Sequence, residues 1–166
     1  MIDTLNTARS LAFLIIAGCA ALLFSALVLE YAEGLEPCPL CLMQRLWVIL
    51  VGLLALIGLA HNPRWGIYPM LSGVAAAIGG WFSIRQLYLQ GLPEDEVPFC
   101  GPNLAYMVEN YPFAELLGAM TSGTGDCAKV LWTFLGISIP GWALVGFIGL
   151  LGLSLLQLRA AMRPET

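Results

Sequence analysis

Four apolar stretches, Leu11–Leu29, Leu46–Ala60, Ile67–Ile84 and Ile139–Leu158, leave this chain few ways to fold. A helix needs ~20 predominantly apolar residues to cross a bilayer. The second stretch is short for that, so its helix is expected to start earlier, near Cys41, which carries Arg45 into the outer edge of the membrane. Charged residues make up 11% of the chain and hydrophobic ones 59%, whereas soluble domains carry roughly 25% charged residues. The reading is an integral membrane protein, all-α, with residues 1–166 forming one four-helix transmembrane bundle. Its helices are expected at 11–29, 41–60, 67–85 and 139–158, with external loops at 30–40 and 86–138. Ile67–Ile84 is rich in small residues (Gly73, Ala75, Ala76, Ala77, Gly79, Gly80). Small residues let membrane helices approach closely, so this helix belongs at the centre. Leu11–Leu29 is long for a signal-peptide core and lacks a clear small-residue cleavage site, so it is expected to stay as the first anchor.

Net charge is −4, and its distribution sets the topology. The first loop carries Glu30, Glu33 and Glu36. The long loop carries Glu94, Asp95, Glu96, Glu109, Glu115 and Asp126. Arg9, the His61–Arg64 turn, Arg159 and Arg163 lie at the other membrane face. Basic residues near span ends favour the cytoplasm. Both termini and the short turn are therefore expected inside, with Arg45, Arg85 and Lys129 weakening the bias from the other side. That orientation puts the cysteines of both external loops where disulfides persist. No nucleic-acid partner is expected.

The long loop opens on Gly91-Leu92-Pro93-Glu94-Asp95-Glu96-Val97-Pro98, which argues for irregular structure. Between Leu104 and Met120 it becomes amphiphilic, through Leu104, Met107, Val108, Phe113, Leu116, Leu117 and Met120. Such a stretch either lies on the membrane surface or packs its apolar residues within the loop and on the helix ends. Gly123-Thr124-Gly125-Asp126 then makes a flexible turn before Cys127.

Cysteine placement carries the chemistry. Cys38 and Cys41 stand in Glu36-Pro37-Cys38-Pro39-Leu40-Cys41, at the mouth of the second helix; Cys100 and Cys127 stand in the long loop. Thiol–disulfide exchange needs a thiolate, an accessible sulfur and a second cysteine to resolve the mixed disulfide. If the helix begins near Pro39, Cys41 falls in its first turn, where the helix dipole favours a thiolate. Arg45 lies four residues on, on the same face, and would favour it further. An arginine at that depth is costly. It either snorkels or pairs with Glu30, Glu33 or Glu36, or it donates to an oxygen that gains charge during reduction. A quinone beside Cys41 fits the second option, since it takes up the two electrons that a closing dithiol gives. A zinc site is disfavoured, because structural sites use two compact ligand pairs. Here the second pair is widely split and His61 lies at the opposite membrane face. Structural staples remain open for Cys100 and Cys127. They suit Cys38 and Cys41 less, since closing so small a loop adds little stability. Cys19, mid-helix, reads as a small apolar residue.

The run Pro37-Cys38-Pro39-Leu40-Cys41-Leu42-Met43-Gln44-Arg45 resembles the Pro-Cys-x-x-Cys-x-x-x-Arg signature of the DsbB family of disulfide bond formation proteins. Further matches are Gly125-Asp126-Cys127-Ala128, Trp132-Thr133-Phe134-Leu135-Gly136 and Pro140-Gly141-Trp142, so that the likeness covers essentially the whole chain. The resemblance implies a bacterial inner-membrane thiol oxidase that reoxidises a periplasmic thioredoxin-fold oxidant, DsbA-like. Cys100 would form the mixed disulfide with that partner and Cys127 would be released. One of the two would pass electrons to Cys38–Cys41. Cys41 would meet the quinone (ubiquinone or menaquinone), with Arg45 holding its oxygen. The loop pair could rest as an intraloop Cys100–Cys127 bridge or in a rearranged form; the bridge is favoured. Gln44 departs from the family pattern, which has an acidic residue there. Two other functions are weighed. A vitamin K epoxide reductase-like enzyme would run the same parts in reverse, but its Cys-x-x-Cys lies at the end of a late helix. A disulfide-stapled scaffold without catalysis leaves Arg45 unexplained.

Overall fold

The computed structural model describes residues 2–63, 65–93, 95–98, 106 and 109–162. Four helices are long and apolar enough to cross a membrane: α1 (Ile2–Ala32), α2 (Pro39–His61), α3 (Ile67–Gln90) and α5 (Ile139–Met162). A shorter helix, α4 (Phe113–Ser122), a 3₁₀ turn (Gly125–Ala128) and a two-stranded hairpin occupy the segment between α3 and α5. The chain is a multi-pass helical membrane protein.

The long helices outrun their apolar stretches because polar residues at the ends still find partners. The first turn of α2 includes Pro39, whose fixed φ suits the start of a helix, with Cys38 as its cap. The last turn of α3 carries Gln86 and Leu89, both buried against neighbouring elements, before Gly91 closes it with an N–H bond to Leu87.

α3 packs against α2 and α5, and α1 closes the ring against the same two helices. The small residues of α3 do what their size allows: Gly73, Ala75, Ala76, Gly79 and Gly80 are all buried. One core lies mid-bundle, built from Ile15, Cys19, Val48, Val51, Ala55, Ala75, Ala76, Phe147 and Leu150. Ser72 adds a hydrogen bond from α3 to the Val51 carbonyl of α2 at 3.2 Å. Cys19 is a packed member of this core, as a small apolar side chain would be. A second cluster of Leu40, Met43, Phe82, Leu89 and Cys127 joins the bundle to the long loop.

Where described, the stretch 91–98 is turn, bend and coil, as its Pro and acidic residues suggest, and regular structure begins further along the loop. α4 leans on α2 and sets Met120 against the second cluster, while Phe113 and Leu117 stay exposed. The expectation that the amphiphilic stretch packs on the helix ends is met at Met120. Leu104, Met107 and Val108 lie outside the described residues. Strands β1 (Thr133–Phe134) and β2 (Ile137–Ser138) pair antiparallel around Leu135 and Gly136, both at positive φ (53° and 78°). A two-residue hairpin turn of this hand needs positive φ at both positions. Ser138 ties the hairpin to Gln90 of α3 at 2.9 Å, and the Trp142 indole donates to the Phe134 carbonyl at 3.1 Å. The hairpin is thereby pinned over one end of the bundle.

Candidate active site

The start of α2 places two sulfurs on one turn. Cys38 caps the helix in an extended conformation and its sulfur accepts the Cys41 N–H at 3.4 Å. Cys41 then lies one turn further on, and the two Sγ atoms are 2.7 Å apart. Pairing these sulfurs needs no backbone movement.

A third cysteine comes from the other side. Gly123 ends α4 with φ +83°, its N–H bonded to the Ala119 carbonyl at 3.0 Å. The chain then turns into the 3₁₀ segment, where the Cys127 N–H bonds to the Thr124 carbonyl at 2.9 Å. Cys127 is fully buried in the second cluster, with Cys38 packed against it. The Cys38 thiol stands close enough to Cys127 to interact with its sulfur. This contact pulls the Cys127 thiol down to about 6, helped by N–H groups of Leu40 and Thr124 and by the Thr124 hydroxyl, and opposed by burial. Cys38 moves the other way, upward, because it keeps its proton to donate to Cys127 first and Cys41 second. Cys127 is therefore the thiolate-prone sulfur of the pair and Cys38 the sulfur it faces. The Cys100–Cys127 bridge that the sequence favours involves Cys100, which lies outside the described residues.

Arg45 does not act on Cys41 as the sequence suggests. Its guanidinium pairs with Glu30 of α1 and donates to the Ala26 carbonyl at 3.1 Å. Of the three glutamates considered, Glu30 is the partner, because α1 runs beside α2 and brings Glu30 level with Arg45. The donor at the sulfurs is instead Gln86, on α3. Its Nε2 lies 3.3 Å from both Cys38 Sγ and Cys41 Sγ. Gln44 Nε2 in turn donates to Gln86 Oε1 at 2.8 Å. No local spacing could reveal this, since Gln86 and Cys41 are 45 positions apart. The one available hint was an amide side chain inside an apolar helix.

Beside the sulfurs opens a cavity of about 550 Å3, walled by apolar residues of α1 and α5 such as Leu22, Phe24, Leu29 and Phe147. Cys38, Cys41, Gln44, Arg45 and Gln86 supply its polar face. Trp132 and Phe134 of the hairpin segment, stacked 5.9 Å apart, and Trp142 line its mouth. Ligand sites are typically ~300–1,000 Å3, mostly apolar, with a few convergent polar groups. The cavity has that character.

Fold and site together define a multi-pass membrane protein with three cysteines gathered at one helix mouth. The family model described as Disulfide bond formation protein DsbB matches residues 8–157. A protein named Disulfide bond formation protein B from Methylococcus capsulatus is 51% identical, over 93% of this chain and 96% of its own. The protein of that name from Hahella chejuensis is 49% identical over 86% of this chain and 88% of its own. Disulfide bond formation protein B 1 of Pseudomonas aeruginosa is 42% identical over 92% and 96%. No solved structure matches the chain. The chain belongs to the DsbB family, and is a membrane protein of disulfide-bond formation.

Proposed function

We propose that this protein is a protein dithiol:quinone oxidoreductase of the bacterial inner membrane, with both termini cytoplasmic and its cysteine pairs periplasmic. It reoxidises a DsbA-like thioredoxin-fold protein. The observation that carries the reading is the gathering of the sulfurs: Cys127 interacts with Cys38, and Cys38 and Cys41 both line the apolar cavity.

The reduced partner attacks Cys100 of a Cys100–Cys127 disulfide and releases Cys127 as a thiolate. With its thiol held down to about 6, Cys127 keeps its charge at neutral pH. It attacks Cys38, forming a Cys127–Cys38 bond and breaking Cys38–Cys41, so that Cys41 leaves as a thiolate toward the cavity. The partner's second thiol then closes the partner's own disulfide and frees Cys100. Cys100 attacks Cys127 and restores the loop bridge, which returns both electrons to Cys38 and Cys41. A bound quinone, ubiquinone or menaquinone, would supply the two-electron acceptor, taking two electrons and two protons as the Cys38–Cys41 bond re-forms. The apolar walls of the cavity would hold it, and Arg45, held there by Glu30 and the Ala26 carbonyl, would donate to its oxygen.

The test uses purified protein, a reduced thioredoxin-fold dithiol protein and ubiquinone, following quinone absorbance. Consumption of one quinone per partner disulfide formed, abolished by Cys41→Ser, is the expected result. Arg45→Met should raise the quinone KM tenfold or more, as loss of a hydrogen bond to a charged group does. Absence of quinone reduction with any dithiol donor would refute the assignment. Consumption of disulfide instead of dithiol would reverse its direction.

A further inference from the structure

We propose that Gln86 is a catalytic residue of the Cys38–Cys41 centre, its side-chain amide holding the negative charge left when that disulfide opens, and that Gln44 is the positioning residue that keeps the amide turned toward sulfur. The inference rests on the reading of Cys38–Cys41 as the redox pair and adds to it the group that stabilises its reduced form.

Gln86 Nε2 is 3.3 Å from each sulfur, within reach of a charge on either. An amide can present its oxygen or its nitrogen, and only the nitrogen supports a thiolate. Gln44 biases the choice: its Nε2 donates to Gln86 Oε1 at 2.8 Å, a shorter contact than the 3.7 Å from that oxygen to Cys41 Sγ, and the Gln86 N–H groups stand at 3.3 Å from both sulfurs. Both side chains are buried, 3% and 6% exposed. Two such amides on separate helices at the edge of an apolar cavity are costly unless they satisfy each other. Their arrangement satisfies them only if Gln86 donates to sulfur.

The nearby charged groups do not take over this task. The hydrogen bonds of Arg45 go to Glu30 and the Ala26 carbonyl of α1. Lys129 is paired with Asp126 at 2.8 Å beside the loop. Cys127 makes its contact on the Cys38 side. When an incoming thiolate breaks the Cys38–Cys41 bond, one new S–S bond forms and one thiolate remains. The neutral amide is the donor already aimed at it.

The test is a glutathione redox titration of the full-length protein in nanodiscs without quinone, in a Cys100→Ser/Cys127→Ser background. The reaction is disulfide plus two glutathiones giving dithiol plus glutathione disulfide, read by alkylating the free thiols and mass spectrometry. Gln86→Met keeps the volume and removes the donor. It should shift the equilibrium about tenfold toward the disulfide, or about 30 mV. Gln44→Met leaves the amide in place but free to turn, and should shift it about threefold the same way. Gln44→Met should add nothing in the Gln86→Met background, because both act through one contact. A Gln86→Met shift below twofold, or full additivity of the two variants, would overturn the proposal. If Gln86→Met does not fold, Gln44→Met decides alone: a shift of twofold or more toward disulfide supports it and no shift refutes it. Because quinone and partner are absent, failure of the thiol oxidase reading would show in the quinone assay and leave this titration intact.

Discussion

Gly79 is the position at which one added carbon would reach furthest into the site. A Cβ there would lie 2.2 Å from Phe147 Cε1 and 2.3 Å from Cζ. Ordinary carbon contacts are about 3.5–4.0 Å, so the overlap amounts to roughly 1.3–1.8 Å. Phe147 is 1% exposed and packed in the mid-bundle core, so its ring cannot absorb this by a small rotation. Either α3 and α5 separate or the ring swings into the cavity it lines. Overpacking of this kind costs about 1–3 kcal/mol, while replacing glycine by alanine in a helix returns up to ~1 kcal/mol. Gly79→Ala should therefore destabilise the bundle by about 1–2 kcal/mol. It should also raise the quinone KM, since the displaced ring occupies the cavity. Phe147→Leu removes the two closest clashing atoms, Cε1 and Cζ, and leaves only a Cδ contact of the 2.9 Å kind, so the double variant should be more stable than the sum of the singles by at least ~1 kcal/mol. Reversible SDS unfolding followed by helical circular dichroism measures all four proteins. Wild-type stability in Gly79→Ala, or additivity within ~0.5 kcal/mol, would refute the close-packing argument.

Two further outcomes follow from the loop that carries Cys127. With its thiol lowered to about 6, Cys127 should be alkylated at a constant relative rate from pH 9 down to about 7, then fall with a midpoint near 6. Lowering a thiol below its unfolded value of ~8.5 gives stability that is complete above that value and lost as pH falls through about 6. Cys38→Ala removes the largest cause and should move the alkylation midpoint upward; an unchanged midpoint would contradict the contact. Gly123→Ala places a side chain at φ +83° and a Cβ 2.7 Å from Leu89 Cδ1 and 2.8 Å from Leu40 Cδ1. The strain of ~1–3 kcal/mol should displace the 3₁₀ turn. It should slow Cys127–Cys38 exchange at least tenfold in stopped-flow chemical quench while sparing the quinone KM. Equal exchange rates would show that the turn tolerates the substitution.

What the sequence made legible divides by the range of the interaction. Helix spans follow from local hydropathy, and Cys38 and Cys41 are brought together by one turn whose start Pro39 announces. The burial of α3 follows from its run of small residues. The site's wiring does not, because it joins side chains from separate helices. Arg45 was readable as a costly charge with a short choice of fates, yet only the packing of α1 on α2 selects Glu30. Gln86 was invisible for the same reason, and so was the approach of Cys127 to Cys38, which depends on the positive φ of Gly123 and the donors of Leu40 and Thr124. The hairpin had a local cue in Leu135-Gly136, but a non-glycine residue at positive φ is too uncommon to be trusted without its partner strand. The division has a chemical consequence. Arg45, the readable cation, is paired with Glu30 at the wall of the cavity. The sulfurs are served instead by a neutral amide, which stabilises a thiolate without attracting a counter-ion into the bundle. On the proposed division, with Arg45 serving the quinone and Gln86 the sulfurs, the Gln86 and Arg45 variants should fail in different assays.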